Sequence, residues 1–397
     1  MRYSAFRALA RMGLLSSAIA LLMASLSGPL HAEEPYNIQV VISLTGALAF
    51  AGHDEADALQ TLEKVVNQKG GVRGRQIHFV IQDDQSNTVV GLQLVNDLIA
   101  KNVPLILGPV NTAACLAIAP LLSNGPVLYC FSPQVHSAPG SYMFSSSISS
   151  VDIAAADIRY LRLRGWTKIA VVATTDAAGQ DGDAAIDEVL AHPENKGIMT
   201  VVDREHFAPS DISVAAEMSR VKASGAQAIF AYAVGTPLGT VLRGAYEGGL
   251  NLPVITPAAN FNYKQLDSYA SFQPNNLYMG LAAYSALNAL PRGPLKEQVE
   301  IFLNSLKAAG LRPAQPQISA WDPGLVTIAA LRALGMNASA AQIRSFISNL
   351  RGFAGIQGIY DYEKFPQRGV GGDWVFVCRW DPAKDKMVPV SKAQGIP

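Results

Sequence analysis

The chain has 397 residues, of which 49% are hydrophobic and 16% charged, with 31 basic and 31 acidic side chains. That length fits two domains of ordinary size, and the balanced charge excludes the basic surface that nucleic acid or an anionic membrane would require. The three cysteines, Cys115, Cys130 and Cys378, are too few for a disulfide scaffold or a four-cysteine zinc site.

The N-terminus reads as a targeting segment. Arg2, Arg7 and Arg11 form a basic region, residues 14–26 are apolar, and Leu30-His31-Ala32 is a small-residue cleavage signal. The apolar run is too short for a stable membrane span. A signal peptide over 1–32, cleaved after Ala32, predicts a periplasmic protein, and no Cys stands at the cleavage point to carry a lipid anchor.

Residues 38–43 then read as a buried strand and 44–51 as a small-residue loop, with Phe50 as its large side chain. Ala56, Leu59, Leu62, Val65 and Val66 mark one face of a helix that closes at Gly70 and Gly71. A second strand covers 77–82, followed by Asp83 and Asp84. Adjacent strand residues point to opposite faces, so helix-start chemistry and solvation explain these two better than an acid–base pair does. Val90, Leu94, Val95, Leu98 and Ile99 mark the next helix. A strand over 104–107 turns at Gly108-Pro109 and reaches Asn111 and Thr112, where a helix N-cap belongs, before a helix over 113–122. Free backbone N–H groups at such a start suit a carboxylate or phosphate. An ordinary pair of caps explains the same residues. A fourth strand covers 126–130. Strands and helices alternating at short loop lengths predict a parallel sheet with helices on both faces.

The Ser- and Pro-rich segment 132–150 breaks this rhythm and reads as a surface loop crossing out of the first domain, with a short strand at 142–144. The alternation then restarts, with helices over 151–163, 179–190, 212–221 and 237–246 and strands over 168–173, 198–202, 228–232 and 253–256. Another strand-like run covers 277–284, three helices cover 294–308, 317–334 and 340–350, and short strands cover 359–362 and 374–380. No G-x-S-x-G, H-E-x-x-H, Walker A or G-x-G-x-x-G motif is present, the six His show no metal spacing, and no convergent titratable set is visible. The sequence therefore predicts no enzyme, no cofactor and no metal. In open α/β sheets ligands bind beyond the C-terminal strand ends, so two facing sheets make a cleft for a small molecule.

The order and spacing of several segments carry a family resemblance. They are IQVVISLTGALAFAG, VNQKGGVRGRQI, Asp83-Asp84, LILGPVNTAACLAIAP, SPQVHSAPGSYMF, KIAVVATTDAAGQDG and QAIFAYAVGTPLGTVLRGAYEGGL. Together they resemble the periplasmic solute-binding proteins of branched-chain amino-acid ABC transporters, the leucine/isoleucine/valine-binding type. The resemblance implies an α/β fold of two Rossmann-like lobes with parallel sheets, the periplasmic-binding-protein type I fold, joined by three hinge crossovers. The crossings near Ser150, Ala282 and Asp361 divide the chain into 33–149 plus 283–361 as one lobe and 150–282 plus 362–397 as the other.

The resemblance also implies ligand positions. Thr112 matches the hydroxyl that holds the α-carboxylate in amino-acid-binding relatives, and Asn111 stands beside it. Ser132, Val135 and His136 lie on the loop that adds further contacts, with His136 where relatives have Thr. Ala178 replaces an aromatic cap, and Ala258 replaces the acidic residue that meets the ligand ammonium. Phe50 and Phe261 neighbour Ala51 and Ala258 as candidate apolar walls, and Trp321 is a candidate stacking ring near the hinge.

A buried, unpaired ammonium costs several kcal/mol. The expected solute is therefore a small carboxylate without an α-amino group, an aromatic acid such as a benzoate, phenylacetate or aryl-oxoacid. An apolar amino acid met by a carboxylate not yet identified, and a ligand sensor of the same fold, are the alternatives. The expected partner is an inner-membrane ABC permease, served by a monomer with neither nucleic-acid nor membrane contacts. A bridge between Cys115 and Cys130 and a pair of reduced thiols both remain compatible with the sequence.

Overall fold

The computed structural model describes residues 34–272 and 276–397, so the targeting segment over 1–32 lies outside the described residues. The first sheet holds β1 (Tyr36–Ile42), β2 (Ile77–Asp83), β3 (Leu105–Leu107), β4 (Val127–Cys130) and β5 (Met143–Ser145) in the order β2-β1-β3-β4-β5. All its pairings are parallel. Ile38, Val40, Val41 and Ile42 are buried on both faces of β1, the pattern of a strand covered by helices on each side.

The helices of this lobe are α1 (Ala49–Gln68), α2 (Thr88–Ala100) and α3 (Thr112–Ile118), the last followed by a 3₁₀ turn over Ala119–Leu122. Helix α1 starts inside the segment expected to be a loop, so Phe50 and Ala51 sit in its first turn. Gly52 makes this possible: a Cβ there would lie 1.9 Å from the Ser43 carbonyl oxygen, so only glycine lets α1 lie this close to the end of β1. Asp83 and Asp84 divide their work. Asp83 accepts hydrogen bonds from Leu44 N–H at 2.8 Å and the Thr45 hydroxyl at 2.7 Å. Asp84 is fully buried rather than solvated, accepts from the Ser43 hydroxyl at 2.6 Å, and is raised by burial.

Cys115 and Cys130 form a disulfide across 15 residues, and Cys378 is a free, buried thiol. A thiol titration of denatured, unreduced protein is expected to count Cys378 alone. Replacing both bridged residues with Ala is expected to lower the unfolding free energy by about 3 kcal/mol, the loop-closure term for a bridge of this span. Coincident urea transitions for the two proteins would refute it.

The segment 132–150 is largely interior, not a surface loop. Ser145, Ser146 and Ser147 are buried, and their polar groups are satisfied from the C-terminal part of the chain. Arg368 donates to Ser145 Oγ at 3.0 Å, to Val135 O at 2.7 Å and to the Ser147 carbonyl. Gln357 Nε2 donates to Ser146 O at 2.6 Å. Serine-rich sequence suggests solvent, but here the hydroxyls and carbonyls are spent on a buried guanidinium and an amide.

After α4 (Ser150–Leu163), the second sheet is built from β6 (Lys168–Thr174), β7 (Thr200–Phe207), β8 (Ala228–Tyr232), β9 (Val254–Ile255) and β10 (Leu277–Leu281). Between them run α5 (Ala177–Ala191), α6 (Ala215–Ala223), α7 (Thr236–Glu247) and a short α8 (Tyr263–Ser268) that the sequence pattern did not reveal. Helix α6 starts three residues later than expected because Ile212 is 91% exposed and Val214 is the residue that packs. Strand β10 ends at Leu281, and Ala283–Ala289 turns as 3₁₀ helix.

Then come α9 (Pro294–Ala308), α10 (Gln315–Leu334), α11 (Ala340–Ser348) and a hairpin of β11 (Arg351–Ala354) and β12 (Ile359–Asp361). Finally β13 (Phe376–Asp381) and β14 (Lys386–Ala393) complete the second sheet in the order β14-β13-β10-β9-β8-β6-β7. That sheet is mixed, not purely parallel. β13 runs antiparallel to β10 and β14 antiparallel to β13, as short tail strands joined by a turn must.

Candidate functional site

Strand order reverses between β1 and β3 in the first sheet and between β6 and β8 in the second. A crevice opens beyond the carboxyl ends of the strands at such switch points. The turns after all four strands contribute to one cavity of about 290 Å³ between the sheets. Leu48, Phe50 and Asn111 to Ala113 come from the first lobe, and Asp176 to Ala178, Val234 and Ala258 from the second.

The turn from β3 into α3 depends on Gly108. Its φ is +88°, and a Cβ there would come within 1.9 Å of the Val41 carbonyl oxygen. Asn111 caps α3, its side chain accepting from Ala114 N–H at 3.2 Å. Thr112 opens the helix and is hydrogen-bonded at 2.8 Å to the Ser132 hydroxyl, which in turn donates to Gln134 Oε1 at 2.6 Å. The Tyr232 hydroxyl from the second lobe lies beside Gln134 and Ser150. Gly182 in α5 admits the Tyr232 ring, since a Cβ there would lie 2.1 Å from Cγ. A row of neutral donors and acceptors therefore crosses from one lobe to the other along the cavity wall.

Two carboxyls stand on that wall, where the sequence shows no convergent titratable set. Glu55 is fully buried and neither of its side-chain oxygens has a hydrogen-bond partner among the described residues. Asp157 is 1% exposed with Oδ1 unpartnered among them. Burial raises both well above the ordinary carboxylate range, which holds them in the neutral, proton-bearing form. Asp176 also lines the cavity but is committed to capping α5, accepting from Gly179 N–H at 3.0 Å. No Lys, Arg or His lines it among the described residues. No cluster of His, Cys, Asp and Glu able to hold a metal is present among them either. Both acids left a trace in the sequence. Glu55 falls on the apolar face of α1 with Ala51, Ala58, Leu59 and Leu62, and Asp157 on that of α4 with Ala154 and Leu161.

Residues 35–385 match the periplasmic binding protein family. The chain belongs to that family. Among its relatives is "Leu/Ile/Val-binding protein homolog 3" of Brucella melitensis, 22% identical over 227 residues, 55% of this chain and 60% of that protein. This periplasmic binding protein thus matches less than two thirds of that relative's length. A Streptococcus pneumoniae branched-chain amino-acid transporter substrate-binding protein, solved with isoleucine, superposes with a TM-score of 0.74 at 17% identity, covering 89% of this chain and 98% of that one. A solute-binding protein of an ABC transporter from R. palustris, solved with 4-hydroxybenzoate, gives 0.74 at 16% identity, covering 91% and 96%. Both superpositions establish the type I fold of paired α/β lobes.

Six of the residues singled out in the sequence of this periplasmic binding protein line the cavity: Phe50, Asn111, Thr112, Ser132, Ala178 and Ala258. The other four do not. Val135 is buried in the first-lobe core, where its carbonyl accepts from Arg368. His136 turns outward, its Nε2 lying 2.7 Å from Asp181 Oδ1 on α5. Phe261 packs into the core against Tyr263, ring centroids 5.2 Å apart. Trp321 packs on Phe302 at 5.0 Å and does not line the cavity. His136 and Asp181 link the two lobes, as do Asp54 on α1 and Asn262, which share a short hydrogen bond. Burial raises Asp54 to about 6.

Proposed function

We propose that this periplasmic binding protein captures a small carboxylate between its lobes in the periplasm and delivers it to an inner-membrane ABC permease. The observation that carries this reading is the cavity itself, set at two facing switch points and lined by Asn111, Thr112 and Ser132 on one side. The N-terminal amides of α3 offer donors to a carboxylate, and the Thr112 hydroxyl, which donates to Ser132 while Ser132 donates to Gln134, turns from Ser132 to the ligand. Phe50, Ala51, Ala178 and Ala258 leave apolar space for a ring, whose burial stabilises at about 25 cal/mol per Å². We therefore favour an aromatic acid without an α-amino group. The lobes are taken as 33–149 plus 283–361 and 150–282 plus 362–397, closing on the solute by hinge motion. A radius of gyration unchanged by saturating ligand would argue for a rigid receptor instead. Export after cleavage at Ala32 is part of the same reading, and N-terminal sequencing of periplasmic protein should begin at Glu33.

One observation favours an apolar amino acid: Glu55, whose two unpartnered oxygens would ionise against an ammonium. Calorimetry with benzoylformate and phenylglycine separates the readings, because the two differ mainly in keto against amino at one carbon. The aromatic-acid reading expects tighter binding of benzoylformate and little change on Glu55→Gln. The amino-acid reading expects tighter phenylglycine, with Glu55→Gln weakening it by tenfold or more, roughly the 1.5–3 kcal/mol of a charged hydrogen bond. Thr112→Val should weaken either ligand by about 1.5–3 kcal/mol, because both present a carboxylate. An unchanged affinity removes Thr112 from the site.

A further inference from the structure

One stripe of α4 faces the cavity. Ser150, Ile153, Ala154 and Asp157 all line it, at the spacing of successive helical turns. The helix therefore lies along the cavity, and Asp157 is about 10 Å beyond Ser150, seven residues at about 1.5 Å each. The two ends differ in chemistry. The Ser150 end meets the Tyr232 hydroxyl and Gln134, and through Ser132 it reaches Thr112. Between the ends the wall is Ile153 and Ala154, with Phe230 and Ala282 also lining the space. The far end is Asp157, set against Gly280 of β10. A Cβ at Gly280 would come within 3.0 Å of Asp157 Oδ1, so the absence of a side chain there is what leaves room for the carboxyl.

An Asp on the apolar stripe of a helix, 1% exposed and with an oxygen unpartnered among the described residues, destabilises the fold unless something bonds to it. The buried cation of this part of the chain, Arg368, is spent on the carbonyls of Val135 and Ser147 and does not line the cavity. Asp157 thus lines the solute's space with its carboxyl met by the Gly280 backbone N–H and with Oδ1 unpartnered among the described residues.

We propose that Asp157 is a specificity-determining residue that reads a hydroxyl or other hydrogen-bonding substituent at the end of the solute remote from its carboxylate. The solute class is then an elongated acid, polar at both ends and apolar between. This rests on the carboxylate reading of the Thr112 side, and it does not depend on whether an α-amino group is present. Burial supports the assignment by keeping Asp157 neutral, able to donate to or accept from an uncharged substituent without repelling an anionic ligand.

Calorimetry on the full mature chain tests it with two matched pairs: 4-hydroxyphenylacetate against phenylacetate, and tyrosine against phenylalanine. In at least one pair the hydroxylated member is expected to bind about tenfold tighter, the upper range for one net hydrogen bond. Asp157→Ala is expected to erase that preference while leaving the non-hydroxylated member within about threefold, which also shows that the variant is folded. Asp157→Asn keeps a neutral hydrogen-bonding group of the same shape and is expected to retain most of the preference. Should Asp157→Ala fail to fold, loss of the preference in Asp157→Asn and Asp157→Ser together decides in favour. Preference for the hydroxyl only in the tyrosine pair overturns the aromatic-acid reading but supports this assignment. Binding of phenylacetate or phenylalanine with no gain from the hydroxyl, or a gain that survives Asp157→Ala, overturns the assignment alone. A wild-type protein that binds none of the four overturns both.

Discussion

Trp321→Ala is expected to lower the unfolding free energy by about 3–5 kcal/mol, the range for removing a fully buried large side chain. Trp321 is 1% exposed and is the largest fully buried side chain among the described residues. Its ring meets Phe302 of α9 edge-on at 69°, with centroids 5.0 Å apart. The sequence offers it as a candidate stacking ring, since it opens a helix on the hinge side. Helical geometry rules that out. The residues of α10 that line the cavity are Gln315, Pro316 and Ser319. Trp321 lies two residues beyond Ser319, about 200° round the helix, on the opposite face. Trp321→Phe should cost less, because an aromatic ring still meets Phe302 and the indole Nε1, unpartnered among the described residues, is removed. Urea unfolding followed by circular dichroism gives both values. A Trp321→Ala protein of wild-type stability that loses ligand affinity would return the residue to the site.

The case of Trp321 shows where sequence reading carried and where it stopped. Strand and helix periodicity located β1, β2, α1, α2 and β6 within a few residues, because each buries a face that repeats along the chain. The switch-point turns followed from the topology that this alternation implies, and Phe50, Asn111, Thr112, Ser132, Ala178 and Ala258 all stand on them or beside them. Orientation within a turn was not legible. Ala258–Asn260 winds as a 3₁₀ turn, which leaves Ala258 on the cavity and swings Phe261 into the core. His136 and Val135 follow Ser132 by only a few residues, yet Arg368 holds the Val135 carbonyl from more than two hundred residues away. No local pattern reports such a contact. Glu55 and Asp157 are different: an acid at an apolar helical position is legible in the sequence as misplaced charge, although no catalytic motif accompanies either.

Asp322→Ala is expected to cost about 3–5 kcal/mol at pH 5, because it strands three buried donors, each worth roughly 1–3 kcal/mol when unsatisfied. Asp322 accepts from Ile356 N–H at 2.8 Å, from Gln357 N–H at 3.1 Å and from the Tyr360 hydroxyl at 2.8 Å. These bonds fasten α10 to the turn between β11 and β12. Gln357 both bonds to Ser146 O at 2.6 Å and lines the cavity. The same side chain therefore holds a crossing segment and a piece of the ligand wall.

Asp322→Asn keeps one acceptor oxygen and isolates the effect of charge. Burial pushes the Asp322 carboxyl up to about 6, even though its hydrogen bonds from Ile356, Tyr360 and Gln357 favour the charged form. In the unfolded chain it titrates near an ordinary value of about 3.9. The folded state therefore keeps the proton to higher pH than the unfolded state does. Its contribution is complete below about pH 3.9 and is lost as pH rises through about 6, a difference of about 3 kcal/mol for roughly two pH units at 1.36 kcal/mol each. Other carboxyls, including Asp54, titrate alike in the wild type and in Asp322→Asn and cancel between them. The stability gap between these two proteins should thus be widest near pH 4 and narrow by about 3 kcal/mol by pH 7. Urea titrations of both proteins across that range measure it directly. A gap that widens toward pH 7 would mean that the hydrogen bonds of Asp322 outweigh its burial and hold it ionised, and a constant gap would mean that the two balance; either refutes the raised value.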